Sequence, residues 1–348
     1  MKKPTNILVI RLSAMGDVAM IVPVLSVFSE TYPEVQLTVL SRAFFKPFFQ
    51  DFTNVVFLEA DVNDKHKGFT GLLKLSKEAN SLEVNAVADL HNVIRSKIIT
   101  RYLKVLGKKT ATLNKGRKEK KSLTRVKNKN FKQLKTTHQR YADVFEALGF
   151  SIDLTNFKSL AKKEYNKNLL NLLGKKKKIT IGIAPFAAYK SKMYPLALIK
   201  KVLVDLDKEH HYQIVLFGGG TKEITQLDTF ENEFNSVINI AGKLNFTEEL
   251  ALISNLDVMI SMDSGNGHLG AMYGVPIISL WGVTHPFAGF APFGQPNDNS
   301  LFSDNKKYPS LPTSIYGNNY PEEYENAMES IKPEEIVKKV ESVLKLKK

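Results

Sequence analysis

The chain has 348 residues, 43% of them hydrophobic, with 49 Lys or Arg against 35 Asp or Glu. That is enough apolar material for a large core and more length than one domain normally uses, so two domains are expected. The absence of Cys excludes disulfides, thiolate metal sites and a cysteine nucleophile, and the net charge of +14 asks for an acidic partner such as nucleic acid, anionic lipid or a phosphorylated substrate.

The apolar run Ile7 to Ile10 reads as a strand buried on both faces of a parallel sheet. Arg11 breaks it far short of a secretory signal core, and no later run reaches the roughly 18 to 20 apolar residues that span a bilayer. From Asp17 to Tyr32 the residues Val18, Ile21, Val22, Leu25 and Phe28 recur at helical spacing, and Pro33 ends the run. Strands are expected at Gln36 to Leu40, Val55 to Leu58 and Ala86 to Leu90, with a helix from Phe69 to Ser81. This alternation predicts a doubly wound α/β sheet.

Between Arg101 and Arg140 stand fifteen Lys or Arg and one acid, Glu119, so this window alone accounts for the chain's excess charge. Its composition predicts a mobile basic segment beside helices, either a solvated face or a binding surface. A helix is expected from Thr137 to Leu148, closed by Gly149, followed by a passage from Ser151 to Lys178 whose Lys175 to Lys178 run reads as a solvated lead-in.

The strand–helix pattern then restarts. Strands are expected at Ile179 to Ala184, Gln213 to Phe217, Val237 to Ile240, Val258 to Met262 and Pro276 to Leu280; helices at Leu196 to Glu209, Phe246 to Asn255 and Asn266 to Tyr273. The closing helix from Pro333 to Leu346 is amphipathic and could return to the first domain. The expected division is 1–160, 161–330 and a terminal helix in 331–348, with two α/β sheets facing a central cleft.

Ligands of open α/β sheets bind beyond the carboxyl ends of the strands. In the loop RLSAMGDV, Asp17 reads either as a helix cap or as a base that takes a hydroxyl proton while that oxygen forms a bond. In APFAAYKSKMYP, Lys190 and Lys192 read either as surface lysines or as cations for a diphosphate. In SMDSGNGHLGAMYGVP, Asp263 and Ser264 can cap a helix or bind hydroxyls, the glycines admit close backbone approach, and His268 reads equally as a packing residue. The turn Gly218 to Gly220 leads to Glu223, which could reach a ligand hydroxyl. No GxGxxG follows the first strand, and no GxxxxGK[ST], no HExxH and no metal-ligand His spacing occurs.

Taken together, RLSAMGDVAMIVPVL, DLHNVIRSK, THQRY, K-x-Y-P at Lys192 to Pro195 and DSGNGHLGAMYGVPIISLWGVTHP resemble the heptosyltransferases of glycosyltransferase family 9. The resemblance implies a GT-B architecture of two Rossmann-like domains and an inverting transfer that needs no metal and no cofactor. The donor would be ADP-heptose, held mainly by the second domain. The acceptor would be an anionic glycolipid, a lipopolysaccharide core or related surface glycan, held mainly by the first.

Asp17 matches the base and Lys192 the lysine at the donor phosphate. Gly16, Glu223, Asp263, Ser264, Gly265, Asn266, Gly267, His268, Trp281 and Thr284 are the expected donor contacts. Ser13, Arg95, Arg101, Arg117, Lys120 and Arg140 are the expected acceptor contacts. The absence of Cys, of a signal core and of a spanning run fits a cytoplasmic protein, at most peripheral to the inner face of the inner membrane, and a monomer is expected. Ala187, Ala188 and Tyr194 depart from the family pattern, which often has hydroxyl residues at the first two positions and Trp at the third, leaving another nucleotide sugar as the alternative donor. A nucleic-acid-binding role for residues 101–140 is the rival from another class, without a recognition motif to support it.

Overall fold

A computed structural model describes residues 3–174, 179–208 and 211–346, so Lys175 to Lys178 and Glu209, the expected last residue of a helix, lie outside the described residues. Two compact units divide the chain: Met1–Gly116 with Lys135–Lys158, and Arg117–Leu134 with Ser159–Lys348. The last crossing between the units falls after Lys158, and 117–134 belongs to the second unit.

The first unit holds five parallel strands, β1 (Asn6–Ile10), β2 (Gln36–Ser41), β3 (Val55–Glu59), β4 (Ala86–Asp89) and β5 (Lys109–Thr112), in the order β3-β2-β1-β4-β5. Every residue of β1 is buried, as its place between two parallel neighbours requires. The second unit holds β6 (Ile179–Ala184), β7 (Tyr212–Leu216), β8 (Val237–Asn239), β9 (Val258–Met262), β10 (Ile277–Trp281) and β11 (Ser300–Phe302), in the order β11-β10-β9-β6-β7-β8. Both sheets are doubly wound, and each has a switch point where successive crossovers leave in opposite directions: between β1 and β4, and between β6 and β9.

The expected helix from Asp17 to Tyr32 is two helices, Met15–Ala19 and Val22–Thr31. Pro23, in the first turn of the second, lacks an N–H and its ring excludes the carbonyl four residues back, so the first helix ends there. The helix Thr137–Leu148 forms as expected; the Thr136 hydroxyl accepts from Gln139 N at 3.1 Å, and Gly149 follows in the left-handed region.

The basic window departs from expectation. Instead of a mobile segment it contains the end of helix Ile94–Val105, strand β5 and helix Arg117–Leu123. Charge hid the two helices because each buries one narrow face: Ser96, Ile99, Thr100 and Leu103 in the first, Lys120 and Leu123 in the last. The closing helix Pro333–Lys345 sets Ile336, Val340, Val343 and Leu344 into the core of the second unit, against helix Leu196–Asp207 and strands β9 and β10. Its apolar stripe is thus used inside the second unit.

Candidate active site

At the first switch point, β1 continues into Arg11, whose N–H donates to Leu40 O at 3.1 Å. Arg11 is 6% exposed, and its guanidinium is held from several sides. Its Nε donates to Ser13 O and its Nη1 to Leu90 O, each at 2.8 Å, and Nη2 stands 2.6 Å from Asp17 Oδ2. The Tyr141 ring lies beneath it, 6.0 Å from ring centroid to Arg11 Cζ. Asp17 also accepts from Ala14 N at 3.3 Å, one half of a capping box, yet its side chain remains 31% exposed. Asp17 is thus the third residue of helix Met15–Ala19 and not its N-cap, which is Ala14; its carboxylate reaches back to the cap backbone and is oriented by Arg11 while partly open.

From β4, Asp89 is fully buried and accepts from His91 N, Asn92 N and the Ser96 hydroxyl, which turns the chain into helix Ile94–Val105. His91 Nδ1 then accepts from Leu12 N at 3.4 Å. Burial first, then the nearby Arg11 and Lys115, holds the His91 imidazole down to about 3. It is a neutral acceptor under the Asp17 loop.

At the second switch point, the chain leaving β6 makes a single 3₁₀ turn, Lys190–Lys192, and the chain leaving β9 reaches Asp263. Lys192 Nζ meets Asp263 Oδ2 at 3.0 Å, with the two side chains 13% and 10% exposed. Ser191, with no exposed surface, donates its hydroxyl to Gly317 O at 2.7 Å, and Gly317 N donates to Ser314 Oγ at 2.9 Å. Gly317 has φ of +85°, and a Cβ there would sit 2.5 Å from Lys192 Cδ. The Lys192 stem thus rests on a glycine that cannot easily be anything else.

Helix Gly265–Met272 starts two residues after Asp263, with Ser264 at the N-cap position. The Ser264 side chain does not cap it and instead lies 3.3 Å from Ser261 Oγ. An uncapped helix N-terminus beside a lysine is a favourable place for an anion. Among the described residues, Asn266 Oδ1, Trp281 Nε1 and Thr284 Oγ1, nearby in sequence, are buried without a hydrogen-bond partner. Gly267 packs tightly, its missing Cβ making room for Ser261 and Pro292, while His268 is buried and engaged within the protein. Glu223, in the first turn of helix Thr221–Glu233, accepts from Gly219 N at 2.8 Å and lines a pocket of about 560 Å³ with Phe186, Ala187, Met193, Lys222 and Gln226.

The expected donor residues other than Gly16 all belong to the second unit; Gly16 sits beside Asp17 in the first. The expected acceptor residues divide. Ser13, Arg95, Arg101 and Arg140 are in the first unit, Arg117 and Lys120 in the second. Lys120 is buried with Nζ 3.8 Å from the centre of the Phe290 ring. Arg140 is buried too, donating to the carbonyls of Lys135 and Asn114 in space that Gly116 leaves clear. Both side chains are held by contacts inside their own unit, as a buried cation needs. Arg95, Arg101 and Arg117 are exposed.

Arg11, His91, Tyr141, Ser191 and Gly317 also belong to these two corners, without a role legible in the sequence. The first three lie inside motifs already quoted for the family resemblance, so the signal was present without a role. Ser191 and Gly317 are far apart in sequence, and only the fold joins them.

Two Rossmann-like units, each with an ion pair at its switch point, define a GT-B glycosyltransferase fold. The family model of glycosyltransferase family 9 (heptosyltransferase) matches residues 72–317, and the chain belongs to that family. It is 23% identical to lipooligosaccharide heptosyltransferase 2 of Campylobacter jejuni, over 95% of this chain and 96% of that one. With the lipopolysaccharide core heptosyltransferase OpsX of Haemophilus influenzae the identity is 24%, over 81% and 80% of the two chains. Among solved structures, a family 9 glycosyltransferase from Veillonella parvula superposes with a TM-score of 0.75 at 20% identity, covering 99% of this chain and 98% of that one. ADP-heptose lps heptosyltransferase II of E. coli gives 0.69 at 16%, covering 98% and 99%.

Proposed function

We propose that the protein transfers a heptose from ADP-heptose to a lipopolysaccharide core or related surface glycan, inverting the anomeric centre in one displacement that requires no metal. The observation that carries this reading is the Lys192–Asp263 pair beside the uncapped start of helix Gly265–Met272. A departing diphosphate needs a compact cation and aligned N–H donors, and this corner of the second unit offers both. The names of the relatives supply the sugar and the acceptor class.

In this mechanism Lys192 leaves Asp263 to meet the donor phosphate, and Asp263 and Ser264 are freed to accept from sugar hydroxyls. Asp17, oriented by Arg11, takes the proton of the acceptor hydroxyl as its oxygen attacks the anomeric carbon. The proton goes to Asp17, the C–O bond to the nucleotide breaks, and its electron pair leaves with ADP. Calorimetric titration with ADP, UDP, GDP and NAD in parallel tests the donor. Preference for ADP is expected; binding of NAD alone would overturn the transferase reading, and preference for UDP or GDP would replace the sugar nucleotide.

A further inference from the structure

Four aromatic rings meet at the edge of the second sheet. Phe302 ends the edge strand β11, in register with Trp281 at the end of β10. The His285 ring stacks on Phe302, with centroids 4.8 Å apart and planes at 19°. Phe131 stands 5.0 Å from both His285 and Phe287, and Phe287 lies 4.4 Å from His285. Rings gathered in this way usually close off a core, yet Phe302 is 39% exposed and Phe131 49%.

The group is held in place by its backbone. Leu134 N donates to Phe287 O at 2.9 Å, and Lys129 Nζ donates to Pro312 O at 2.9 Å and to Ser310 O, so the stretch carrying Phe131 is tied down on both sides of it. His285 Nδ1 accepts from Phe287 N at 3.1 Å. Burial first, then Lys129, holds the imidazole down to about 4, so the ring is neutral at pH 7. Its proton is then on Nε2, which makes no hydrogen bond among the described residues. No Asp or Glu occurs from Lys120 to Ala142 or from Ser264 to Asn297.

We propose that this cluster is a carbohydrate subsite that takes a pyranose ring of a glycan substrate. A pyranose presents a face of C–H groups, which packs on an aromatic ring, and a rim of hydroxyls, one of which can accept from His285 Nε2. A nucleic acid needs cations for its phosphates, and Lys129 is already engaged by two carbonyls. A lipid surface would leave Nε2 without a partner. Strand β11 lies two strands from β9, so the rings stand about 10 Å along the sheet from the strand that leads to Asp263, within reach of a short oligosaccharide and apart from the donor phosphate. The inference deepens the transferase reading and rests on it only for the origin of the glycan.

The test is calorimetry and saturation-transfer NMR of the full chain with the lipid-free, dephosphorylated core oligosaccharide of a lipopolysaccharide. Binding is expected, with magnetisation passing from the protein to sugar C–H protons. Phe131→Ala/Phe302→Ala should weaken it about tenfold, since each aromatic contact contributes several-fold. Phe131→Tyr/Phe302→Tyr, which keeps both rings, should retain it. Thermal unfolding checks that each variant is folded, and Phe302→Ala alone, at the end of an edge strand, serves if the double variant is not. Ring-dependent binding of the oligosaccharide by a protein that transfers no sugar would keep the subsite and remove the transferase reading. Sugar transfer together with equal oligosaccharide binding in the wild type and the alanine variant would keep the transferase reading and remove the subsite. Absence of binding, tighter ring-dependent binding to a single-stranded RNA oligonucleotide, or self-association that the alanine variant loses would each overturn the proposal.

Discussion

Lys192 Nζ and Asp263 Oδ2, separated by 71 residues in sequence, stand 3.0 Å apart where β6 and β9 diverge. The pair is nearly buried, so neither charge is tolerable there without a partner, and a phosphate can take the lysine only by replacing the carboxylate. Lys192→Ala should lower kcat by about 10²- to 10³-fold. It should also destabilise the fold by up to about 3 kcal/mol by leaving Asp263 unpaired. Steady-state kinetics beside thermal unfolding separates the two effects.

Gly317 should act through Lys192. In Gly317→Ala the new methyl group meets Lys192 Cδ, so turnover should fall at least about tenfold, with a smaller effect in Ser191→Ala, which loses one hydrogen bond. The discriminating measurement is a double-mutant cycle. In a Lys192→Ala background Gly317→Ala should cost almost nothing more; full additivity would mean that Gly317 supports only the loop.

Arg11 should be needed for the orientation of Asp17 beyond its charge. Arg11→Lys keeps the cation but cannot reproduce the simultaneous bonds to Ser13 O, Leu90 O and Asp17 Oδ2. Its kcat is expected to fall about tenfold or more with ADP affinity unchanged. Wild-type kcat in Arg11→Lys would show that Asp17 needs only a nearby charge.

Acid should weaken the first unit through His91. The folded imidazole titrates at about 3 against an ordinary value of 6.5, so between these the unfolded chain binds a proton that the folded one does not. Stability is then present above pH 6.5 and is lost as pH falls toward 3. Denaturant titrations should show a shallower loss in His91→Asn, with part of the slope remaining because burial and Lys129 hold His285 down to about 4.

Glu249 has the opposite sign. Burial pushes its carboxyl up to about 7, so the folded state favours the protonated form and loses stability as pH rises from about 4.5 through 7. Glu249→Gln should raise the melting temperature at pH 8 and have little effect near pH 4.5. Equal gains at both pH values would point to packing instead.

How much of this could be read from the chain depended on contrast. Strands such as Ile179–Ala184 and Val258–Met262 are continuous apolar runs between polar borders and were legible to the residue. Lys109–Thr112 is an edge strand with no apolar run, and Ser300–Phe302 has three residues, so neither carries a periodic signal. At the site, Asp17, Lys192 and Asp263 stood out because each follows a strand in a glycine-containing or basic loop. The Ser191–Gly317 support and the internal bonds of Arg140 were invisible because they join distant segments through backbone carbonyls, which carry no side-chain signature.

The most direct test compares heptose transfer from ADP-heptose to a lipopolysaccharide-core acceptor by the wild-type protein and by Asp17→Asn, with ADP affinity measured on both. The account predicts a loss of about 10²- to 10⁴-fold in kcat with ADP binding preserved. A folded Asp17→Asn protein that transfers at the wild-type rate would contradict it.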